Sequence, residues 1–152
     1  MTGTADDLLK LDAQVCFALH ATSRAFDALY RTELRALGLT YPQYLAMLVL
    51  WETDGLTVKR LGERLRLDSG TLSPLLKRME AGGLVERRRS REDERSVSVH
   101  LTEQGAALRT RALDVPRHML ASTGLSPHEL ADLRRTLQRV TEHLDAATGS
   151  AA

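Results

Sequence analysis

Apolar residues recur at helical spacing along most of this chain, and the breaks between them mark where helices start and stop. Leu8, Leu11, Val15, Leu19, Phe26 and Leu29 form one stripe and predict a long N-terminal helix. Thr40-Tyr-Pro-Gln43 has the residues of a capping box with proline just inside, so a second helix runs from there to about Glu52. Its apolar run from Tyr44 to Trp51 is too short to cross a membrane and reads as buried helix. Asp54-Gly55 makes a turn, and Thr57 caps a short helix through Leu65.

Leu67-Asp-Ser-Gly70 then turns the chain into a helix whose Leu72, Leu75, Leu76 and Met79 share one face. Its opposite face carries Gly70, Ser73, Pro74 and Lys77, small or cationic. Proline in a helix removes a hydrogen bond, so the regular part is expected from Thr71, and Gly82-Gly83 stops it. Leu84 to Arg89 and Ser96 to Leu101 read as the strands of a hairpin. Thr102 caps another helix, interrupted or ended near Pro116. Ser126-Pro-His-Glu129 is a second capping box, opening a helix striped by Leu130, Leu133, Leu137, Val140 and Leu144. The small-residue stretch from Ala146 to Ala152 reads as a frayed tail. The fold class is all-α with a small β-hairpin wing.

A helix with a small, cationic outer face followed by an Arg-rich hairpin is the outline of a winged helix-turn-helix, here about residues 57–101. In that outline the helix enters the major groove and the hairpin the minor groove. The 152 residues suit a single domain, 1–152. The flanking helices, about 8–40 and 103–146, carry longer apolar stripes than the small core of a winged helix requires. They either cover the core of a monomer or pack against a second copy, and the two-fold homodimer is the more economical reading. Such a dimer sets two recognition helices roughly 34 Å apart and so selects a pseudo-palindromic operator in double-stranded DNA.

Charge sharpens this outline. The net charge of +1 hides an uneven distribution. Residues 1–57 hold four Lys/Arg against seven Asp/Glu, residues 58–101 eleven against seven, and residues 102–152 six of each. The excess of cations thus coincides with the candidate DNA-binding segment. Ser69, Thr71, Ser73, Lys77 and Arg78 are the candidate major-groove and flanking phosphate contacts, the bland alternative being a solvated helix face. Arg95 is the candidate for the minor groove, oriented by Asp93 through a salt bridge. Arg87, Arg88 and Arg89 alternate along a strand, so all three are not expected to face a duplex.

Other classes find little support. No signal peptide and no long apolar run is present, which suits a cytoplasmic protein with no membrane partner. Five scattered histidines and one thiol make no metal set, no cofactor is implied, and no glycine-rich phosphate loop or Ser/His/Asp pattern stands out. A cysteine peroxidase would need strand–helix alternation and a resolving thiol, so the chain does not read as an enzyme. The single Cys16 excludes an internal disulfide. A lone cysteine on an apolar helix is ordinarily an inert small hydrophobe, and Tyr30 and Tyr41 alone are ordinary amphipathic residues.

The wing segment Asp93-Glu94-Arg95-Ser96 resembles the signature of the MarR family of bacterial regulators. Cys16-Phe17, Thr40-Tyr-Pro-Gln-Tyr-Leu45, Leu67-Asp-Ser-Gly-Thr-Leu72 and Leu76-Lys-Arg-Met79 are similar to its organic-hydroperoxide-sensing, OhrR-type branch, and the likeness covers essentially the whole chain. The resemblance implies that Cys16 is a redox sensor and that its oxidation by an organic hydroperoxide releases the repressor from DNA. It also implies that Tyr30 and Tyr41 reach Cys16 across the subunit interface. Tyr30 lies 14 residues beyond Cys16, about 21 Å along a straight helix, so it cannot serve its own cysteine. His20, one turn from Cys16, stands where some members carry tyrosine, and is either a donor or cation beside the thiolate or a polar rim residue. With no second thiol, a sulfenic acid ends as a mixed disulfide with a low-molecular-weight thiol, as a sulfenamide, or overoxidised. The alternative within the family is a repressor released by a small aromatic ligand, with Cys16 incidental.

Overall fold

A computed structural model of the chain describes residues 5–149, which pack as two compact units meeting in sequence at Tyr41 and Pro42. The first unit opens with two 3₁₀ turns, Ala5–Leu9 and Leu11–Ala13, before helix α1, Val15–Glu33. The long helix expected from Leu8 therefore begins only at Val15. Gln14 is the break: its backbone is extended, and its side-chain amide donates to the carbonyls of Leu8 (2.6 Å) and Lys10 (3.1 Å). A side chain that occupies those carbonyls offers the backbone an alternative to the helical ladder. A third 3₁₀ turn, Leu34–Leu37, closes on left-handed Gly38, and Leu34 and Leu39 are buried.

Helix α2, Tyr41–Glu52, leads into the second unit, with Tyr44, Ala46, Met47, Val49 and Leu50 buried. Helices α3, Val58–Leu65, and α4, Ser69–Ala81, form the helix-turn-helix, capped by Thr57 Oγ1 and by Asp68 Oδ1. Gly62 of α3 sits at the crossing, where a methyl group would meet the Leu67 carbonyl at 2.9 Å. Helix α4 starts at Ser69 and not at Thr71, and it contains Pro74. Pro74 is the sixth residue of the helix, where the ladder has already begun with the Leu72 N–H on the Asp68 carbonyl (2.9 Å), so it forgoes the bond to the Gly70 carbonyl.

Strands β1, Val85–Arg89, and β2, Val97–Leu101, pair antiparallel with Val85 opposite Leu101 and Arg89 opposite Val97. The segment before α3 lies along β2, through the Val99 N–H to the Leu56 carbonyl (2.8 Å) and the Leu101 N–H to Asp54 Oδ1 (2.8 Å). Leu61, Leu72, Leu76, Met79, Val85 and Val99 fill the core, all at most 1% exposed.

Helices α5, Glu103–Ala112, and α6, Asp114–Thr123, are separated at Leu113. The interruption expected near Pro116 thus precedes it; Pro116 sits in the first turn of α6, where no helical donor is lost. Helix α7, Pro127–Thr148, has the full capping box, with Ser126 Oγ accepting from the Glu129 N–H and Glu129 Oε2 from the Ser126 N–H. It runs three residues into the stretch expected to fray, held there by Thr148 Oγ1 donating to Leu144 and Asp145 carbonyls and by left-handed Gly149. Residues 150–152 lie outside the described residues. Neither α1 nor α7 contains a buried residue.

The hairpin is seated at one close approach. Trp51 Nε1 donates to the Gly105 carbonyl (2.9 Å), and a methyl group on Gly105 would fall 2.1 Å from the Leu84 carbonyl. Gly105→Ala should therefore lower unfolding free energy by ~2 kcal/mol or more, read by urea denaturation; unchanged stability would show that this backbone can yield.

Candidate nucleic-acid interface and thiol site

Burial fixes which side of α4 faces out. Leu72, Leu75, Leu76 and Met79 are at most 4% exposed, while Ser69, Thr71, Ser73, Lys77 and Arg78 are all exposed. The Thr71 N–H donates to Asp68 Oδ1 (2.8 Å), and this bond holds the Asp68 carboxyl below the usual carboxylate range. Asp68 was legible only as part of a turn, although an aspartate just before an apolar stripe is also a cap signal.

The wing is built from its own short side chains. Ser90 Oγ accepts from the Glu92 and Asp93 N–H groups (both 3.2 Å), and Asp93 Oδ1 accepts from the Arg95 N–H (3.0 Å). Asp93 therefore shapes the loop through the Arg95 backbone, and no ion pair between the two side chains is seen among the described residues. A carboxylate two residues before an N–H closes a tight local ring that its own long-armed neighbour cannot match. Ser69, Ser73, Asp93 and Arg95 line one open groove between α3, α4 and the hairpin, together with Lys59 and Arg66. Thr71, Lys77 and Arg78 lie on the outer face of α4, outside that groove.

All three strand arginines are exposed, and two of them are engaged by carboxylates. Arg87 is bound to Glu80 of α4 by its N–H to Oε1 (2.9 Å) and by Nε and Nη2 to Oε2 (3.1 and 2.9 Å). Arg88 pairs with Glu86, whereas Arg89, Arg91 and Arg95 form no ion pair among the described residues. The Glu80–Arg87 clamp ties the last turn of the recognition helix to the first strand of the wing. Sequence periodicity carries no sign of it, since the pair spans a helix end.

Cys16 is exposed in the first turn of α1, with His20 exposed one turn on. Tyr30 lies near the other end of the same unbroken helix, so its distance from Cys16 follows the helix rise. Its ring stacks on Tyr41, centroids 4.5 Å apart and planes 32° from parallel. Burial and, secondarily, the Asp27 charge raise the Tyr41 pKa above the ordinary phenol value, so its hydroxyl stays a donor at neutral pH. The structure thus joins the two tyrosines to each other and leaves Cys16 and His20 apart from them. Among the described residues no three His, Cys, Asp or Glu side chains are placed to hold a metal ion.

A model of the SarA/Rot transcriptional regulators matches residues 28–111. The organic hydroperoxide resistance transcriptional regulator of Bacillus subtilis strain 168 is 51% identical over 138 residues, covering 91% of this chain and 94% of that one. The chain belongs to the MarR family of transcriptional regulators, in its organic-hydroperoxide branch. The reduced form of AbfR bound to DNA shares this fold with a TM-score of 0.74 at 33% identity, over 93% of this chain and 99% of that one. AbfR has also been solved overoxidised on DNA and in a disulfide form. A MarR-family regulator from Silicibacter pomeroyi superposes with a TM-score of 0.68 at 28% identity, over 91% of this chain and 94% of that one. The chain is a DNA-binding transcriptional regulator with a winged helix, and none of its helices is long and apolar enough to cross a membrane.

The Arg87 N–H and guanidinium hold the Glu80 carboxyl below its ordinary value, so its folded pKa is depressed. A depressed carboxyl stabilises the fold above its unfolded pKa, and this contribution is lost as pH falls through the lower, folded value. The Arg87 amide resonance should therefore shift only at pH below the ordinary glutamate range, and Glu80→Gln should abolish that step; a step retained in the variant would assign it to another group.

Proposed function

We propose that this regulator is a homodimeric repressor that holds a pseudo-palindromic operator while Cys16 is reduced and releases it once an organic hydroperoxide has oxidised that thiol. The observation that carries the reading is the placement of Cys16: exposed, on a helix with no buried residue of its own, with two stacked phenols at its far end. Val15, Phe17 and Leu19 on α1 and Leu133, Val140 and Leu144 on α7 are exposed in the single chain. Amphipathic helices of this length are stable when that face is covered. A second copy covers it, which supports dimerisation through about residues 8–40 and 103–146. An antiparallel partner α1 brings the partner's phenol pair toward Cys16, where Tyr30, Tyr41 and His20 serve as hydrogen-bonding groups.

The Cys16 thiolate attacks one oxygen of the hydroperoxide; an S–O bond forms, the O–O bond breaks, and the alcohol departs with the proton. A small cellular thiol then condenses with the sulfenic acid, forming a mixed disulfide and water. AbfR was solved on DNA in its overoxidised form, which favours the bulkier adduct over an oxyacid as the releasing species. On DNA, Ser69, Thr71, Ser73, Lys77 and Arg78 meet the major groove and its phosphates, and Arg95, on the loop that Asp93 shapes, meets the minor groove. A reducing cytoplasm suits a switch that must be reset.

Operator binding by the reduced protein should fall steeply with salt, with a log–log slope of roughly −5 to −9 for six to ten neutralised phosphates. Arg95→Ala should weaken it by about tenfold or more. An organic hydroperoxide plus a small thiol should release the wild type and leave Cys16→Ser bound. Release of both proteins, or of neither, removes Cys16 from the mechanism and favours a small aromatic inducer; a monomer in sedimentation removes the dimer.

A further inference from the structure

Helices α3 and α4 end in the same backbone motif with different residues at its critical position. At the end of α4 the left-handed residue is Gly83 (φ 75°); its N–H donates to the Glu80 carbonyl (3.0 Å) and the Leu84 N–H to the Met79 carbonyl (3.0 Å). At the end of α3 the matching bonds run from the Arg66 N–H to the Glu63 carbonyl (3.3 Å) and from the Leu67 N–H to the Gly62 carbonyl (2.9 Å). There the left-handed residue is Arg66 (φ 55°, ψ 39°), the one non-glycine with positive φ among the described residues. Glycine or asparagine meets that backbone with less strain, so an arginine held there points to a use for its side chain.

That use is visible. Arg66 Nη2 donates to both carboxylate oxygens of Asp145, each at 2.8 Å. Asp145 lies in the last turns of α7, and its side chain is 22% exposed, the most enclosed carboxylate of the described ion pairs. The turn leading into the recognition helix is thereby pinned to a terminal helix far away in sequence. Two residues beyond Arg66, Asp68 caps α4, and Ser69, Thr71 and Ser73 follow in its first turns. A shift at Arg66 therefore carries the base-facing end of α4 with it.

We propose that the Arg66–Asp145 pair sets which half-site spacing the dimer accepts, by fixing each recognition helix to the α7 helix at the dimer seam. The inference rests on the dimeric reading given above. Adding or removing one base pair moves a half-site by about 3.4 Å along the DNA axis and also rotates it. Helix α4 keeps its place in the winged-helix core through its buried stripe, so what the two-oxygen ion pair adds is resistance to a displacement of that whole core relative to α7.

The experiment is competition binding to duplexes carrying one palindrome, selected from random DNA by the wild type, with its half-sites at the selected spacing or one base pair closer or farther. The wild type should discriminate against the altered spacings by ~30-fold. Arg66→Asn, which tolerates the left-handed backbone, and Asp145→Asn should each reduce that ratio to a few fold. The exchange Arg66→Asp with Asp145→Arg should restore it. A uniform loss of affinity at every spacing is what mere structural weakening or a lost phosphate contact produces, and it overturns the proposal. So does an unchanged ratio in the single variants, or an exchange that fails to restore it. A wild type that sediments as a monomer or ignores spacing instead overturns the dimeric reading itself, and this inference with it.

Discussion

The buried stripe of α4 is the constraint on which the rest of the molecule hangs. Leu72, Leu75, Leu76 and Met79 are almost wholly withdrawn from water, each contributing roughly 1.5–3 kcal/mol. An exposed ion pair contributes less than about 1 kcal/mol. Orientation of the recognition helix is therefore decided by its apolar side, and its polar side is what remains to be offered. Gly62 is small because α3 must come close enough for that stripe to seat, and the hairpin packs Val85 and Val99 on the same core. The ion pairs at its two ends act within this frame as fine adjustment, Glu80 to the wing and Arg66 to α7.

What could be read in advance follows the range of the interaction. Caps and stripes are local, and Thr57, Thr102 and Ser126 each cap the helix that their sequence context announced. The hairpin, the stop after α4 and the all-α frame with one wing were equally legible. Misreadings arose where a side chain or a neighbour overrode periodicity. Gln14 delays to Val15 a helix that the leucine spacing would begin at Leu8, and Pro74 stands inside α4 at the loss of one ladder bond. The break between α5 and α6, by contrast, falls at Leu113, close to the proline that announced it. At the site, the outward residues of α4 and the wing tip were recoverable from pattern. The partners of Arg87, Arg66 and Asp93 were not, since each pairing depends on how separate segments, or a tight turn, come together.

The terminal helices carry the same lesson for assembly. Their stripes are as regular as that of α4, yet α1 and α7 bury no residue in the single chain. A pattern strong enough to specify a helix does not say what covers it. In the proposed dimer that covering surface is also where the thiol sits, so the contact that holds two subunits together is the one that oxidation would disturb.

The close approach at Gly105 also has an optical side. Trp51 is the chain's only tryptophan, half-buried, with its indole N–H bonded to the Gly105 carbonyl where α5 meets the base of the hairpin. Indole emission moves to longer wavelength as the ring gains water. The protein thus carries its one indole fluorophore at the root of its wing, and its colour reports whether that joint is closed, with no label attached to any DNA-facing residue.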